Sequence, residues 1–165
     1  MNWGKRKIAG TEYSLEHLNS FMLAIICNGK SYKLQVSFGA HSFTREYREG
    51  DTIDLQFMDG NTRRTFCVER YAHSLHLPAA ICQAVEGMVC NSRDTMVFDA
   101  TLPGLDGPYL IVFNLRPTPG KRFDARLYVR SAHHRPNLAK NLPEVSFSVV
   151  VVNTIRKRPI RWTKK

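Results

Sequence analysis

Hydrophobic and polar residues alternate along much of the chain with the two-residue period of β-strands. The clearest example is Ser31–Phe38, in which every second residue from Tyr32 onward is large and hydrophobic. Such a segment is typical of a strand with one buried face and one solvated face. The preceding run, Phe21–Cys27, is apolar, and the intervening Asn28-Gly29 tolerates the positive φ angles of a tight turn. The pattern therefore predicts a β-hairpin over residues 21–38.

The rest of the chain also favours extended structure. A second hairpin is predicted where Ile53–Met58 and Thr62–Arg70 flank Asp59-Gly60. One helix is predicted over Pro78–Glu86, because proline suits the first helical turn and Gly87 suits the end. Prolines and glycines separate the later extended runs, which are Met96–Leu102, Tyr109–Arg116, Phe123–His134 and Val145–Ile155.

These elements predict a β-rich α+β fold. We expect an antiparallel sheet or a partly closed barrel of about eight strands with one main helix. A chain of 165 residues is the usual size of one domain. Residues 11–155 are therefore assigned to a single globular domain, between a basic N-terminal tail over residues 1–10 and a basic C-terminal tail over residues 156–165.

Composition narrows the class of protein. Hydrophobic residues make up 43% of the chain and charged residues 23%, which is ordinary for a globular protein. The longest apolar run, Phe21–Cys27, is far shorter than the roughly 20 residues of a membrane span. No secretory signal is evident near Met1, and four cysteines are too few for a disulfide scaffold. We expect a cytoplasmic protein with reduced thiols and no membrane partner.

Positive charge is concentrated in three places. The net charge is +10, and the tails carry most of it, with three basic and no acidic residues in 1–10 and six basic and no acidic residues in 156–165. Residues 116–140 carry seven basic residues against Asp124. Clustered cations favour a polyanionic partner, because each neutralised phosphate releases counterions. The distribution predicts binding to nucleic acid, with RNA favoured.

The predicted strand Phe123–His134 holds the most informative candidates. Strand alternation places Arg126, Tyr128, Arg130 and His134 on one face. Arginine supplies forked donors for phosphate, tyrosine supplies a stacking surface, and histidine exchanges protons near neutral pH. His133 lies on the opposite face of a regular strand, and a bulge near Ser131 would exchange the two histidines.

This face predicts phosphodiester recognition and, as its enzymatic extension, metal-independent RNA cleavage by His134 and Tyr128. The residues predicted to bind nucleic acid are Arg116, Lys121, Arg122, Arg126, Arg130, Arg135, Arg156, Lys157, Arg158, Arg161 and Trp162. The C-terminal tail is interpreted as a flexible electrostatic arm with Trp162 available for base stacking. The alternative is that Ile160 and Trp162 dock on the sheet.

The predicted helix Pro78–Glu86, followed by four strands, resembles small ribonuclease toxins of the barnase and RelE-like kind. The resemblance is one of element order and covers about residues 75–155. It implies ribonuclease activity and assigns no residue.

The sequence also allows other interpretations. The polar strand face could serve only to keep the sheet solvated, and the protein could be a non-catalytic β-rich module that docks an acidic protein or a ribonucleoprotein.

No cofactor is expected, because phosphate-binding glycine loops and dinucleotide motifs are absent from the sequence. No metal is expected either, since His73, His76, Cys82 and Cys90 have poor spacing for zinc. Arg64 and Arg70 are interpreted as partners of structural ion pairs with Asp54, Asp59 or Glu69.

Overall fold

The computed structural model describes residues 2–120, 122–135 and 141–163, which form β-strands and three α-helices. The strands are β1 (Lys5–Ile8), β2 (Thr11–Ser14), β3 (Phe21–Cys27), β4 (Lys30–His41), β5 (Thr44–Glu46), β6 (Gln56–Asp59), β7 (Thr62–Phe66), β8 (Met88–Ser92), β9 (Thr95–Ala100), β10 (Tyr109–Pro117), β11 (Ala125–His134) and β12 (Glu144–Ser146). The helices are α1 (Val68–Ser74), α2 (Leu77–Ala84) and α3 (Phe147–Ile155). Short 3-10 turns cover Glu16–Leu18 and Ile53–Leu55.

Seven strands form one curled sheet in the order β12-β8-β9-β10-β11-β4-β3. Two smaller sheets, β1-β2 and β5-β7-β6, stand beside it. The predicted β-rich α+β class is confirmed, as is the first hairpin, in which Asn28 and Gly29 adopt φ angles of 51° and 75°. The predicted helix is also confirmed, as α2. The sheet is not wholly antiparallel, however, because β4 and β11 run parallel.

The predicted strand Val145–Ile155 is wrong beyond Ser146, because α3 occupies the rest of it. Its run of valines favours extended structure locally. The curled sheet instead wraps around this segment, and α3 contacts β3, β8, β10 and β12. Phe147, Val150 and Val151 are fully buried, at the i, i+3, i+4 spacing of one helical face. Tertiary burial therefore overrides the local preference.

The predicted strand Thr62–Arg70 is also too long, since β7 ends at Phe66 and α1 begins at Val68. Arg70 consequently belongs to a helix. The helices in the described ranges are all too short, or not apolar enough, to cross a lipid bilayer.

Two aromatic clusters hold the layers together. In the main core, Phe113 of β10 stacks on Phe98 of β9 with ring centroids 4.4 Å apart, and Phe147 of α3 packs edge-on against both rings. A second cluster lies between the smaller sheets, where the Phe43 ring centroid is 5.1 Å from those of Trp3 and Phe57. The main core therefore supports the strands β9, β10 and β11 from one side. On the opposite face, Asn114 is partly exposed, and Arg116, Arg126 and Tyr128 are exposed.

The C-terminal segment packs against the body over its described residues, so the flexible-arm interpretation is wrong as far as Thr163. Ile160 and Trp162 are partly buried against the core. The Asn153 side chain donates to the Pro159 carbonyl oxygen at 3.2 Å, and Thr163 pairs with Glu144 of β12. Trp162 therefore packs against the core, and its stacking on a base stays a prediction.

This packing predicts that Trp162→Ala lowers the melting temperature, because it removes about 1–2 kcal/mol of apolar burial. The matched control is Arg161→Ala, since the neighbouring arginine is exposed. Thermal unfolding followed by circular dichroism compares the two variants. Equal melting temperatures for both would show that Trp162 contributes nothing to stability.

Candidate nucleic-acid interface

The solvent-facing sides of β4, β10 and β11 form a polar groove of about 670 Å³. We call it the first groove. In the strand register, Arg116 lies opposite Arg126 and Asn114 lies opposite Tyr128. The parallel neighbour β4 places Gln35 beside Arg126 and Ser37 beside Tyr128. The lining is Ser20, Gln35, Ser37, Asn114, Arg116, Arg126 and Tyr128.

Arg116 and Arg126 give the first groove its charge. Both side chains are exposed, and like charges directly opposite each other on two strands repel. Arg126 Nε donates to Gln35 Oε1 at 3.1 Å. Within the described ranges no carboxylate lies within 4.0 Å of either guanidinium, since the ion pairs there belong to Lys5, His41 and Arg45. Two uncompensated guanidinium groups therefore face the same open space, an arrangement that suits phosphate groups.

Tyr128 forms the end of the first groove nearest to β11's C-terminal half. Its ring lies against the backbone of Gly39 in β4, where an added Cβ would approach the Tyr128 hydroxyl oxygen to 2.5 Å and the Arg130 carbonyl oxygen to 3.2 Å. Burial, together with the nearby Asp59, raises the pKa of Tyr128 above its ordinary value. The phenol stays protonated at neutral pH, so it can stack or donate a hydrogen bond.

A β-bulge in β11 separates Tyr128 from His134. Val129 pairs with Phe113, but Ser131 pairs with Val112, so that Arg130 is an extra residue. The prediction that His134 shares the face of Tyr128 is therefore wrong. His133 lies on the face of Tyr128 instead, farther along β11, and His134 Nε2 donates to the Asp106 carbonyl oxygen at 2.7 Å. Among the described residues the first groove contains no histidine.

A family model described as the YjaZ family matches residues 5–155. The chain belongs to the YjaZ family. No curated protein and no solved structure matches it. The matched range covers every residue of the first groove and all of α3. The resemblance to ribonuclease toxins depended on a final strand over residues 145–155. In the structure α3 occupies most of that range, so the element order no longer matches there.

The remaining predicted binding residues of this YjaZ-family chain are dispersed. Arg130 is exposed on β11, and Arg135 Nε donates to His133 Nε2 at 3.3 Å. Arg122 is exposed beside Lys33 and Phe123 in a separate small cavity. Lys121 lies outside the described residues. Four more are exposed beyond the end of α3, namely Arg156, Lys157, Arg158 and Arg161.

Sequence reasoning missed four members of the first groove, which are Ser20, Gln35, Ser37 and Asn114. Gln35 and Ser37 occupy the polar positions of the alternating strand β4, and Asn114 is the one polar residue within the run Tyr109–Leu115. The alternation could have indicated that these side chains face outward. It could not indicate that β4 and β10 flank β11, because strand order comes from long-range pairing.

Half-buried His133 makes the stability of this fold depend on pH. Burial, and then Arg70 and Arg135, lower the pKa of His133 to about 4. An unfolded histidine takes up its proton near pH 6.5. Because the unfolded chain then binds more protons, we expect the free energy of unfolding to fall as the pH drops from about 6.5 to about 4. Urea unfolding at several pH values measures this slope.

His133→Gln, which cannot titrate, should make that slope shallower. The control is His76→Gln, which alters an exposed histidine. The same pH dependence in wild type and His133→Gln would contradict the assignment.

Proposed function

We propose that this protein binds single-stranded RNA along the outer face of β4, β10 and β11. The observation that carries the proposal is the facing pair Arg116 and Arg126, which has no carboxylate partner among the described residues and lies in a groove with stacking and hydrogen-bonding groups. A purely solvated sheet face does not require two like charges to face each other.

The chemistry of the groove favours an unpaired strand. The two guanidinium groups suit successive phosphates, since each presents a fork of donors. Tyr128 offers a ring surface on which a base can stack, and a base is available for stacking only outside a duplex. Asn114, Gln35 and Ser37 supply amide and hydroxyl groups for base edges and for the 2′-hydroxyl.

We propose that the protein binds RNA and that His134 and Tyr128, the residues predicted to cleave it, do not act together. General acid–base cleavage requires a proton-accepting group within hydrogen-bond reach of the reacting hydroxyl. The bulge turns His134 away from Tyr128, and Tyr128 has a raised pKa that opposes its use as a base. The grouping predicted to cleave RNA is therefore not assembled in the first groove.

Fluorescence anisotropy with a labelled single-stranded RNA tests the proposal. We expect saturable binding whose log affinity falls linearly with log salt concentration. A polyglutamate peptide of matched charge tests the competing function, docking of an acidic protein. No RNA binding at low salt would overturn the proposal, and tighter binding of the peptide than of RNA would favour the acidic partner.

Variants of Tyr128 distinguish the contribution of base stacking to RNA affinity from the contribution of charge. Tyr128→Leu should weaken RNA binding by about 1 kcal/mol, or roughly fivefold, because it removes an aromatic surface without changing the net charge. Tyr128→Phe should retain most of the affinity. Anisotropy titrations at one salt concentration compare the two variants. Equal losses in both would mean that the hydroxyl, and not the ring, contacts the ligand.

A further inference from the structure

A second groove, of about 620 Å³, opens farther along β11. It lies between the C-terminal half of β11, strand β7 and helix α1. Its cations are Arg63 and Arg64 of β7 and Arg70 of α1, and its imidazoles are His41 and His133. Tyr128 lines the first groove and Ser131 lines the second, and the two residues are three positions apart on β11, so the two grooves adjoin near the middle of that strand.

Arg64 and Arg70 converge at the floor of the second groove. Arg64 is only 7% exposed, and its Nε donates to Thr44 Oγ1 at 2.7 Å. Arg70 Nη1 donates to the Thr44 carbonyl oxygen at 2.8 Å, and Arg64 Nη2 reaches the same oxygen at 3.4 Å. Two guanidinium groups thus share one neutral acceptor, and burial together with the nearby Arg70 lowers the pKa of Arg64.

The expected structural ion pairs are not formed by these arginines. In the described part of the chain no carboxylate lies within 4.0 Å of Arg64 or Arg70. The neighbouring Arg45 shows the contrast, because its Nη1 donates to Asp51 Oδ2 at 2.7 Å and the Thr65 hydroxyl donates to the same oxygen at 2.6 Å. Arg64 is buried and Arg70 is partly buried. A buried cation without a counter-ion costs free energy, so the pair is predisposed to accept an anion.

The two imidazoles add hydrogen-bonding groups without adding charge. Arg135 donates to His133 Nε2, so the neutral ring carries its proton on Nδ1, and that buried atom has no partner among the described residues. His41 Nε2 lies 3.8 Å from Asp59 Oδ2. Burial lowers the pKa of both rings, and arginines lower it further, so both are neutral at pH 7.

The charge balance of the second groove remains positive. Glu46 lines it, and Asp59 stands beside His41, so two carboxylates face three arginines. Arg63 is held at the rim, with its guanidinium carbon 3.9 Å from the centroid of the Tyr47 ring. A phosphomonoester matches this environment, because it is dianionic near neutral pH and offers three acceptor oxygens to convergent donors.

We propose that the second groove is a binding site for a phosphomonoester, held by Arg64 and Arg70 at its floor and by Arg63 at its rim. Two sources share this chemistry: a small phosphorylated molecule and the phosphorylated end of a nucleic acid. Continuity with the first groove favours the end of a bound RNA strand, and that assignment, unlike the phosphate site itself, rests on the proposed function.

Titration with inorganic phosphate tests the site independently of RNA. We expect the melting temperature of the wild type to rise with saturation at millimolar phosphate, compared with chloride at equal ionic strength. Arg70→Gln should weaken phosphate binding about tenfold. The control Arg48→Gln makes the same charge change at an exposed residue outside the groove lining and should bind like wild type.

Arg63→Gln provides a second variant, since Arg63 is exposed and its removal leaves the buried contacts in place. It should weaken phosphate binding severalfold even where Arg70→Gln does not fold. No saturation with wild type would overturn the site, as would equal phosphate effects in Arg63→Gln, Arg70→Gln and Arg48→Gln.

Paired RNA oligonucleotides then distinguish the source of the phosphate. An oligonucleotide phosphorylated at its 5′ or 3′ end should bind more tightly than the same strand with hydroxyl ends, and Arg70→Gln should abolish the difference. Saturable phosphate binding without that difference would assign the site to a small phosphorylated molecule. RNA binding with no phosphate effect would overturn this inference and leave the proposed function intact.

Discussion

Replacing both Arg116 and Arg126 with alanine should weaken the binding of single-stranded RNA about 10- to 100-fold, or roughly 1.4–2.7 kcal/mol. The two side chains are exposed and face each other across β10 and β11 without a carboxylate within 4.0 Å in the described ranges. Their removal relieves a like-charge repulsion, so the folded state should not lose stability. The loss of affinity is therefore expected without a loss of folding.

The salt dependence provides a second readout of the same double variant. Each phosphate contact on a single strand contributes about 0.7 to the slope of log affinity against log salt. The slope should therefore become shallower by about 1.4 when two contacts are lost. A change in affinity without a change in slope would mean that the arginines act on the shape of the groove and not on phosphates.

The matched control for this experiment is Arg6→Ala/Lys7→Ala. It removes two exposed positive charges from β1, in the separate two-stranded sheet, and so produces the same change in net charge. We expect only a small, nonspecific decrease in RNA affinity. If both double variants lose affinity equally, the protein binds RNA through its overall charge and the first groove is not the site.

Phe113→Ala should destabilise the fold by about 3–5 kcal/mol, the range for large-to-small substitutions at buried aromatic residues. Phe113 is fully buried, stacks on Phe98 at 4.4 Å with an interplanar angle of 15°, and contacts Phe147 of α3 edge-on at 6.0 Å. Its loss opens a cavity where the curled sheet meets the helix that it surrounds. Urea unfolding monitored by circular dichroism measures the change.

Two further variants show whether the loss of aromatic packing causes the decrease in stability. Phe113→Leu retains most of the buried volume and should cost less than Phe113→Ala. Val149→Ala alters a residue of α3 that is 40% exposed and should have a small effect. A similar loss from all three substitutions would indicate that the chain tolerates no change in this region, whatever the packing of Phe113.

Part of the first groove can be predicted from the local sequence pattern. The alternation in β11 correctly places Arg126, Tyr128 and Arg130 on an exposed face, because the period of two holds up to the bulge. The pattern does not place Arg116 opposite Arg126, which requires the antiparallel register of β10 and β11. The second groove was not predicted at all, because it brings together residues from β7, α1 and β11 that are distant in sequence.

Hydrophobic alternation and turn residues are enough to determine the β-rich class, the β3–β4 hairpin and helix α2, because each depends on contacts between near neighbours in the chain. Three features depend on the assembled structure instead. Val149–Val152 becomes helical because the sheet curls around it, and Arg64 and Arg70 meet because α1 packs beside β5. Arg130 is a bulge residue in the register that β11 forms with β10 and β4. Each is decided by burial and pairing between distant segments, and those contributions to the free energy exceed the local preference of any short segment.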